Sequence, residues 1–320
     1  MMTPRLLQNG RLPAGLEAEL ATLYDVHPLW AEPDVPAFLA RHGREFVGLV
    51  TSAAVGADAT LIGALPRLRV IASFGVGLDL IDLDAAARRE VAVSFTPDVL
   101  NDCVADLAFA LLLDVARGVS AADRYVRRGG WLSARWPLTT RVSGKRLGIL
   151  GLGRIGRAIA RRGAGFDLDV RYTSRRPVEG VSWRFEPSIV ELARWADFLV
   201  IAAAGGAATQ HLVSADVLEA LGPQGFLVNI ARGSVVDESA LVDALVAQRI
   251  AGAGLDVFEN EPNVPPELFG LDNVVLLPHV ASGTHATHRA MAELVRDNLH
   301  AYFTTGRLLT PAPLNSGAPT

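Results

Sequence analysis

Short apolar runs alternate along the first part of the chain with stretches whose apolar residues recur at every third or fourth position. The runs at 5–7, 46–51, 69–73 and 91–95 read as strands, and 16–23 and 36–41 read as helices between them. Strand-helix alternation of this kind predicts an α/β domain with a parallel sheet. Apolar residues cover most of the circumference of the stretch 98–116, DVLNDCVADLAFALLLDVA, so it is expected to be a long helix buried on several sides. A second alternation follows, with strands at 146–150, 169–173, 198–203, 226–230, 252–256 and 274–277 and helices at 154–166, 214–220 and 237–247. An amphipathic helix over 284–304 comes after the last strand, where it can return the chain to the first domain. The expected fold is two Rossmann-like α/β domains, each a doubly wound parallel sheet, with the site in the cleft between them. The predicted boundaries are 1–98 plus 286–320 for a discontinuous substrate-binding domain and 99–285 for a dinucleotide-binding domain.

The stretch KRLGILGLGRIGRAIARRGAGFDLDVRYTSRRP organises the second half. Gly151, Gly153 and Gly156 stand in G-x-G-x-x-G order between a strand and a helix. The first permits a tight turn, the second lets backbone N–H groups approach a pyrophosphate, and the third lets helix pack on strand. The helix N-terminus adds partial positive charge. Such a turn alone occurs in many α/β proteins; here its strand and helix flanks point to a dinucleotide, held by Gly151, Gly153, Arg154, Ile155 and Gly156. An NAD-binding unit ordinarily carries an acid at the end of its second strand, for the adenosine ribose. That position holds Ser174, Arg175 and Arg176, while Asp167 and Asp169 lie at the strand's beginning. A hydroxyl and two guanidinium forks suit a 2′-phosphate, so NADP(H) is expected in preference to NAD(H).

Three polar residues stand just beyond late strands, at the edge where such sheets bind ligands. Arg232 follows the apolar run FLVNIA, Glu261 ends LDVFENE, and His279 stands in LLPHVASGT. A guanidinium can clamp a carboxylate or polarise a carbonyl, and a histidine beside a carboxylate can deliver a proton near neutral pH. Ketone reduction by hydride needs such a donor. A second glycine-rich turn, SFGVGLD at 73–79, follows a strand of the first domain; it is either structural or a nest of N–H groups for a carboxylate. His285 and His288 read as one solvated helix face, and no metal is expected.

Composition narrows the setting. Of 320 residues, 50% are hydrophobic, enough for two domains, and no apolar run reaches the length of a membrane span. A net charge of −4 with scattered basic residues gives no electrostatic case for nucleic acid or an acidic membrane. The single cysteine, Cys103, reads as a buried small hydrophobe, and its solitude fits a cytoplasmic protein. Residues 118–140 carry Tyr125, Trp131 and Trp136 among arginines, a surface for a partner subunit or for the domain's own packing.

GLGRIG at 151–156, NIARG at 229–233, GLDVFENEP at 254–262 and LLPHVASGT at 276–284 closely resemble the D-isomer-specific 2-hydroxyacid dehydrogenases. The likeness spans nearly the whole chain, since SFGVGLD and TPDVLNDCVADLA also match, and TSRRP at 173–177 is most similar to the NADPH-dependent hydroxypyruvate, glyoxylate and hydroxyphenylpyruvate reductases. The resemblance implies reduction of a small 2-ketoacid such as glyoxylate or hydroxypyruvate to its D-2-hydroxyacid. It implies His279 as general acid, Glu261 as its partner, and Arg232 on the substrate carboxylate and keto oxygen. Val76 and Gly77 would hold the carboxylate through backbone groups, Asp256 the nicotinamide carboxamide, and Ala231 would line that pocket. It further implies a homodimer joined through 118–140, with Trp131 or Trp136 reaching the partner. Ala203-Ala204-Gly205-Gly206 replaces the family's usual proline-containing segment after the fourth strand. Two other readings stand beside this one: a reductase for larger aromatic or branched 2-ketoacids, and a non-catalytic dinucleotide-sensing module.

Overall fold

The structure is a computed structural model that describes residues 3–313. Residues 1–2 and 314–320, at the ends of the expected first domain, lie outside that range. The chain divides into two units, one formed by the chain up to Leu100 together with the chain from Thr284 onward, the other by Asn101–Gly283.

The first unit is built on five strands, β1 (Arg5–Gln8), β2 (Asp25–Pro28), β3 (Gly48–Ser52), β4 (Val70–Phe74) and β5 (Ala92–Ser94). They are all parallel, in the order β2-β1-β3-β4-β5. Helices cover parallel sheets on both faces, so inner strands read as continuous apolar runs, and every residue of β4 is buried. Leu7, Leu49, Ile71 and Val93 supply the sheet's share of one core, which Leu39, Ile62 and Ala86 close from the helices. The helix His285–Thr305 belongs to this unit. Thr284 caps its N-terminus by accepting the Thr287 N–H at 3.2 Å, and left-handed Gly306 ends it. Asn298 is fully buried (0% exposed) on that helix. Its side chain donates to the Leu294 carbonyl and Thr310 Oγ1 and accepts the N–H groups of Leu309 and Thr310, which ties the chain's return to its helix.

The second unit carries seven parallel strands, β6 (Arg146–Leu150), β7 (Asp169–Thr173), β8 (Arg184–Phe185), β9 (Phe198–Ile201), β10 (Phe226–Asn229), β11 (Gly252–Leu255) and β12 (Val274–Leu276). Their order is β12-β11-β10-β9-β6-β7-β8, so the chain reverses direction across the sheet between β6 and β9. Ligands gather at such a switch point, beyond the strands' carboxyl ends. The long helix starts at Asn101, later than the apolar pattern suggests, because Asp98 takes a left-handed φ of 71° that cannot continue into a helix. It packs on the sheet where glycines leave room: a Cβ at Gly254 would stand 2.9 Å from Leu111 Cβ. Arg162, on the helix after β6, holds it from the other side by donating to Asp106 at 2.7 Å and Asp102 at 3.1 Å. Residues 119–127 form a further helix within the stretch read as an aromatic connector.

Candidate active site

The glycine turn has the geometry its spacing predicts. Gly151 adopts a φ of 95°, and a Cβ there would meet the Ala203 backbone nitrogen at 2.7 Å. At Gly156 a Cβ would come within 2.0 Å of the Gly151 carbonyl oxygen, so a side chain would push the helix Arg154–Gly163 off the turn. Gly153 faces open space, and no side chain caps the helix it begins. An uncapped helix N-terminus with open backbone in front of it is the cradle that a pyrophosphate needs, so these residues fit a dinucleotide. The Gly151 N–H donates to the Thr173 carbonyl at 2.8 Å, which brings Ser174, Arg175 and Arg176 to the same edge. Ser174 Oγ donates to the Arg176 carbonyl and rounds off this loop. Both arginines are exposed, and neither has an ion-pair partner among the described residues. A basic loop without an internal acid is suited to an external phosphate.

Arg232, Glu261 and His279 follow β10, β11 and β12, three adjacent strands. At the end of β10, Asn229 (1% exposed) accepts the Ala231 N–H at 3.1 Å and donates to the Arg232 carbonyl at 2.9 Å, folding Ala231 and Arg232 over the strand tip. His279 Nδ1 lies 2.7 Å from Glu261 Oε2, while Glu261 Oε1 accepts the Phe258 N–H at 3.0 Å. Burial would raise the Glu261 carboxyl. The bonds from His279 and Phe258 and the charges of His279 and Arg232 outweigh it and hold the group below the ordinary glutamate range. The pair is therefore a carboxylate beside an imidazole whose Nε2 stays available for proton delivery.

Asp256 does more than the sequence suggested. It is fully buried (0% exposed), accepts the Val280 and Ala281 N–H groups at 2.7 and 2.8 Å, and its carbonyl accepts the His279 N–H at 2.8 Å. Burial, foremost, pushes its carboxyl above the ordinary aspartate range. These bonds fix His279 in a left-handed conformation with φ 53°, strained for a side-chain-bearing residue and tolerated where the surroundings over-determine it. An acid inside the apolar run LDVF was the available signal, since a buried charge needs partners. Asn229, inside FLVNIA, was another.

In the first unit, Val76 and Gly77 follow β4, and neither N–H finds an acceptor among the described residues. Gly75 allows this turn: its φ is 141°, and a Cβ would meet Ala53 Cβ at 2.4 Å. Two unpaired adjacent amides at a strand's carboxyl end form a nest for an anion. Cys103 corrects one expectation, being half-buried with its thiol donating to the Ala281 carbonyl at 3.1 Å. His288 corrects another: it is half-buried with its ring edge-on to Phe74 at 5.4 Å, while His285 is exposed. Among the described residues no three His, Cys, Asp or Glu side chains gather as a metal site. Among the same residues no helix is long and apolar enough to cross a membrane.

Residues 109–281 match the profile of the D-isomer specific 2-hydroxyacid dehydrogenase, NAD binding domain, family. The chain is 49% identical over 296 residues to a hydroxyphenylpyruvate reductase of Plectranthus scutellarioides, covering 92% of this chain and 95% of that protein. It is 48% identical over 296 residues to glyoxylate/hydroxypyruvate reductase A of Arabidopsis thaliana, with the same coverage of 92% and 95%. An NADPH-dependent glyoxylate/hydroxypyruvate reductase from Sinorhizobium meliloti, solved with NADP and malonate, superposes with a TM-score of 0.91 at 42% identity, covering 100% of this chain and 99% of that one.

Proposed function

The chain belongs to the D-isomer-specific 2-hydroxyacid dehydrogenases, and from that premise we propose that it reduces glyoxylate to glycolate, or hydroxypyruvate to D-glycerate, with NADPH. It is an oxidoreductase of 2-hydroxyacids that uses a nicotinamide dinucleotide. The 2.7 Å bond between His279 and Glu261, at a sheet edge that also carries Arg232, supports this reading most directly.

NADPH supplies the hydride that reduces the keto carbon. His279 donates the proton from Nε2 to the carbonyl oxygen, which stays on carbon as the hydroxyl of the product, and the imidazolium becomes neutral. Glu261 stabilises the imidazolium before transfer and fixes the ring through Nδ1. Arg232 draws charge onto the keto oxygen and holds the carboxylate; in the first unit, the Val76 and Gly77 amides are the proposed donors to a carboxylate. Asp256 shapes the turn that carries His279, with Ala231 lining the nicotinamide pocket and Asp256 in reach of the carboxamide as further proposed contacts. The glycine turn and Ser174, Arg175 and Arg176 bind the pyrophosphate and 2′-phosphate.

Arg232→Ala should lower kcat/KM for the ketoacid while leaving NADPH affinity near wild type. One or two charge-assisted hydrogen bonds at about 1.5 to 3 kcal/mol each correspond to a loss of roughly tenfold or more. An unchanged kcat/KM would show that the guanidinium does not meet the substrate.

Likeness to a hydroxyphenylpyruvate reductase favours a larger aromatic 2-ketoacid as the second reading. Comparing kcat/KM for glyoxylate, hydroxypyruvate and hydroxyphenylpyruvate with NADPH decides between them. Highest efficiency with the aromatic acid would overturn the first reading, and no turnover with any 2-ketoacid would leave a dinucleotide-binding module. A homodimer through residues 118–140 is part of the proposal. Val119, Val126, Trp131, Leu132 and Leu138 are exposed there, apolar side chains of the kind that a partner subunit covers. Trp136 packs on Tyr125 at 5.3 Å, which leaves Trp131, 68% exposed, as the side chain to reach a partner. Sedimentation showing only monomer at micromolar concentration would contradict it. A cytoplasmic location is proposed from the lone cysteine, and fractionation of cells would test it.

A further inference from the structure

A second histidine-glutamate pair stands on the loop that carries Glu261. His211 Nε2 lies 2.7 Å from Glu259 Oε1, and Glu238 Oε1 accepts the Glu259 N–H at 3.0 Å. The same loop is pressed against Gly233, where a Cβ would come within 1.9 Å of the Phe258 carbonyl carbon. Chain segments distant in sequence thus grip residues 258–259 from three sides. Phe258 in turn gives its N–H to Glu261, and Glu261 holds His279. The grip is rigid at its base: the Val213–Val236 bridge joins the segment bearing His211 to the one leading into Glu238, and the His211 N–H donates to the Ser234 carbonyl at 2.8 Å.

We propose that Glu238 and His211 are positioning residues for the reaction, setting the place and the electrostatic surroundings of the Glu261–His279 pair through the loop 258–261. The inference rests on the reductase reading for its kinetic consequence but not for its geometry. Glu238 acts in two ways. Its carboxylate fixes the Glu259 amide, and its charge faces Glu261. Burial, first, and then repulsion from Glu259 and Glu261 raise the Glu238 carboxyl above the ordinary glutamate range, while the Glu259 N–H opposes the rise. Interaction between charges is mutual, so a carboxylate that feels Glu261 acts on Glu261 in return. His211 is raised by its bond to Glu259, by Glu259's charge and by Asp237 against a smaller desolvation, so it tends to hold its proton and offset Glu259. The charged groups around the catalytic pair are then Arg232 beyond β10, Asp256 beyond β11, Glu259 on the loop, and Glu238 on the helix that follows Asp237.

The full-length enzyme with Glu238→Ala, Glu238→Gln and His211→Ala separates the two effects. Glutamine keeps a carbonyl acceptor for the Glu259 N–H and removes only the charge. Glu238→Ala should lower kcat by about tenfold to a hundredfold, the loss expected when a reacting group is displaced by roughly an ångström, without raising KM for NADPH. Glu238→Gln should recover most of that kcat, yet move the alkaline limb of the pH profile to lower pH, because one negative charge facing Glu261 is gone and the imidazolium loses support. His211→Ala should move the limb the opposite way, since it leaves the Glu259 carboxylate without its hydrogen-bond partner. Wild-type kcat in Glu238→Ala, or an alkaline limb that stays put in Glu238→Gln and His211→Ala, would overturn the proposal. If Glu238→Ala does not fold, the limb in the other two variants decides. NMR titration of the His279 ring proton in the wild-type, Glu238→Gln and His211→Ala proteins reads the same displacement without turnover. A wild-type protein inactive on all 2-ketoacids would therefore refute the reductase reading and still leave this coupling measured.

Discussion

Replacing His279 by alanine is expected to remove about 10² to 10⁴ of kcat, the usual share of general acid catalysis. The structure explains why no neighbouring group can substitute. Glu261 is bonded to the imidazole through one oxygen and to the Phe258 N–H through the other, and it is held in its ionised form, so it has no proton to give. Arg232 is a guanidinium and stays charged at any working pH. Asp256 has both oxygens engaged by the amides of Val280 and Ala281. The ring itself is presented by a turn that three bonds to Asp256 hold in a left-handed conformation. The variant should fold, since His279 is exposed and contributes little core. Because Glu261 lies below the ordinary glutamate range, wild-type activity should persist as pH falls through neutrality and fail only when that lowered group finally takes a proton. Near-wild-type kcat in His279→Ala, with a deuterium isotope effect showing hydride transfer to be rate-limiting, would remove the histidine from the role.

The second large effect concerns the cofactor. No acid stands at the end of β7, so an adenosine ribose with a free 2′-hydroxyl lacks its usual acceptor. Ser174, Arg175 and Arg176 stand there instead, on the same edge as Gly151, with both guanidinium groups exposed and unpaired by any acid among the described residues. One or two charge-assisted contacts to a 2′-phosphate, at about 1.5 to 3 kcal/mol each, should favour NADPH over NADH by roughly tenfold to ten-thousandfold in kcat/KM. Added salt should narrow the gap, because the arginines lie in solvent where charges are screened. Arg175→Ala with Arg176→Ala should erase most of the preference and leave kcat at saturating NADPH largely intact. Equal kcat/KM for NADH and NADPH in the wild-type enzyme would reduce the two arginines to a solvated loop.

The strands that were legible in the sequence are those whose physics is local. A strand buried on both faces must be apolar throughout, and RLGIL, FLVN and GAGL each end within a residue or two of where the apolar run stops. β2 was not legible: DVHP is an edge strand, half-exposed and closed by a proline, so it has neither a continuous run nor an alternation. β8, two residues long, has no period to read. The helices Ala59–Gly63, Leu83–Arg88 and Ile189–Trp195 are a turn or two each, and side-chain caps from Asp58, Asp82 and Ser188 fix them more than amphipathicity does. At the site, Arg232, Glu261 and His279 stood out because a charge after an apolar strand is costly without a use. Asp256 could be noticed as an acid in a buried run, but the amides it serves come from a turn 24 residues later, and no spacing rule names them. Glu238 and His211 were invisible for the same reason, since their meeting at Glu259 depends on a tertiary bridge and not on any motif.

The proposed activity is stereospecific reduction of a 2-ketoacid with NADPH. Its most direct test is chiral analysis of the product formed from hydroxypyruvate, with NADPH oxidation followed in the same reaction. Glyoxylate cannot serve here, because glycolate has no stereocentre. The expected product is D-glycerate alone, one molecule for each NADPH consumed; L-glycerate, or a racemic product, would contradict the proposed activity.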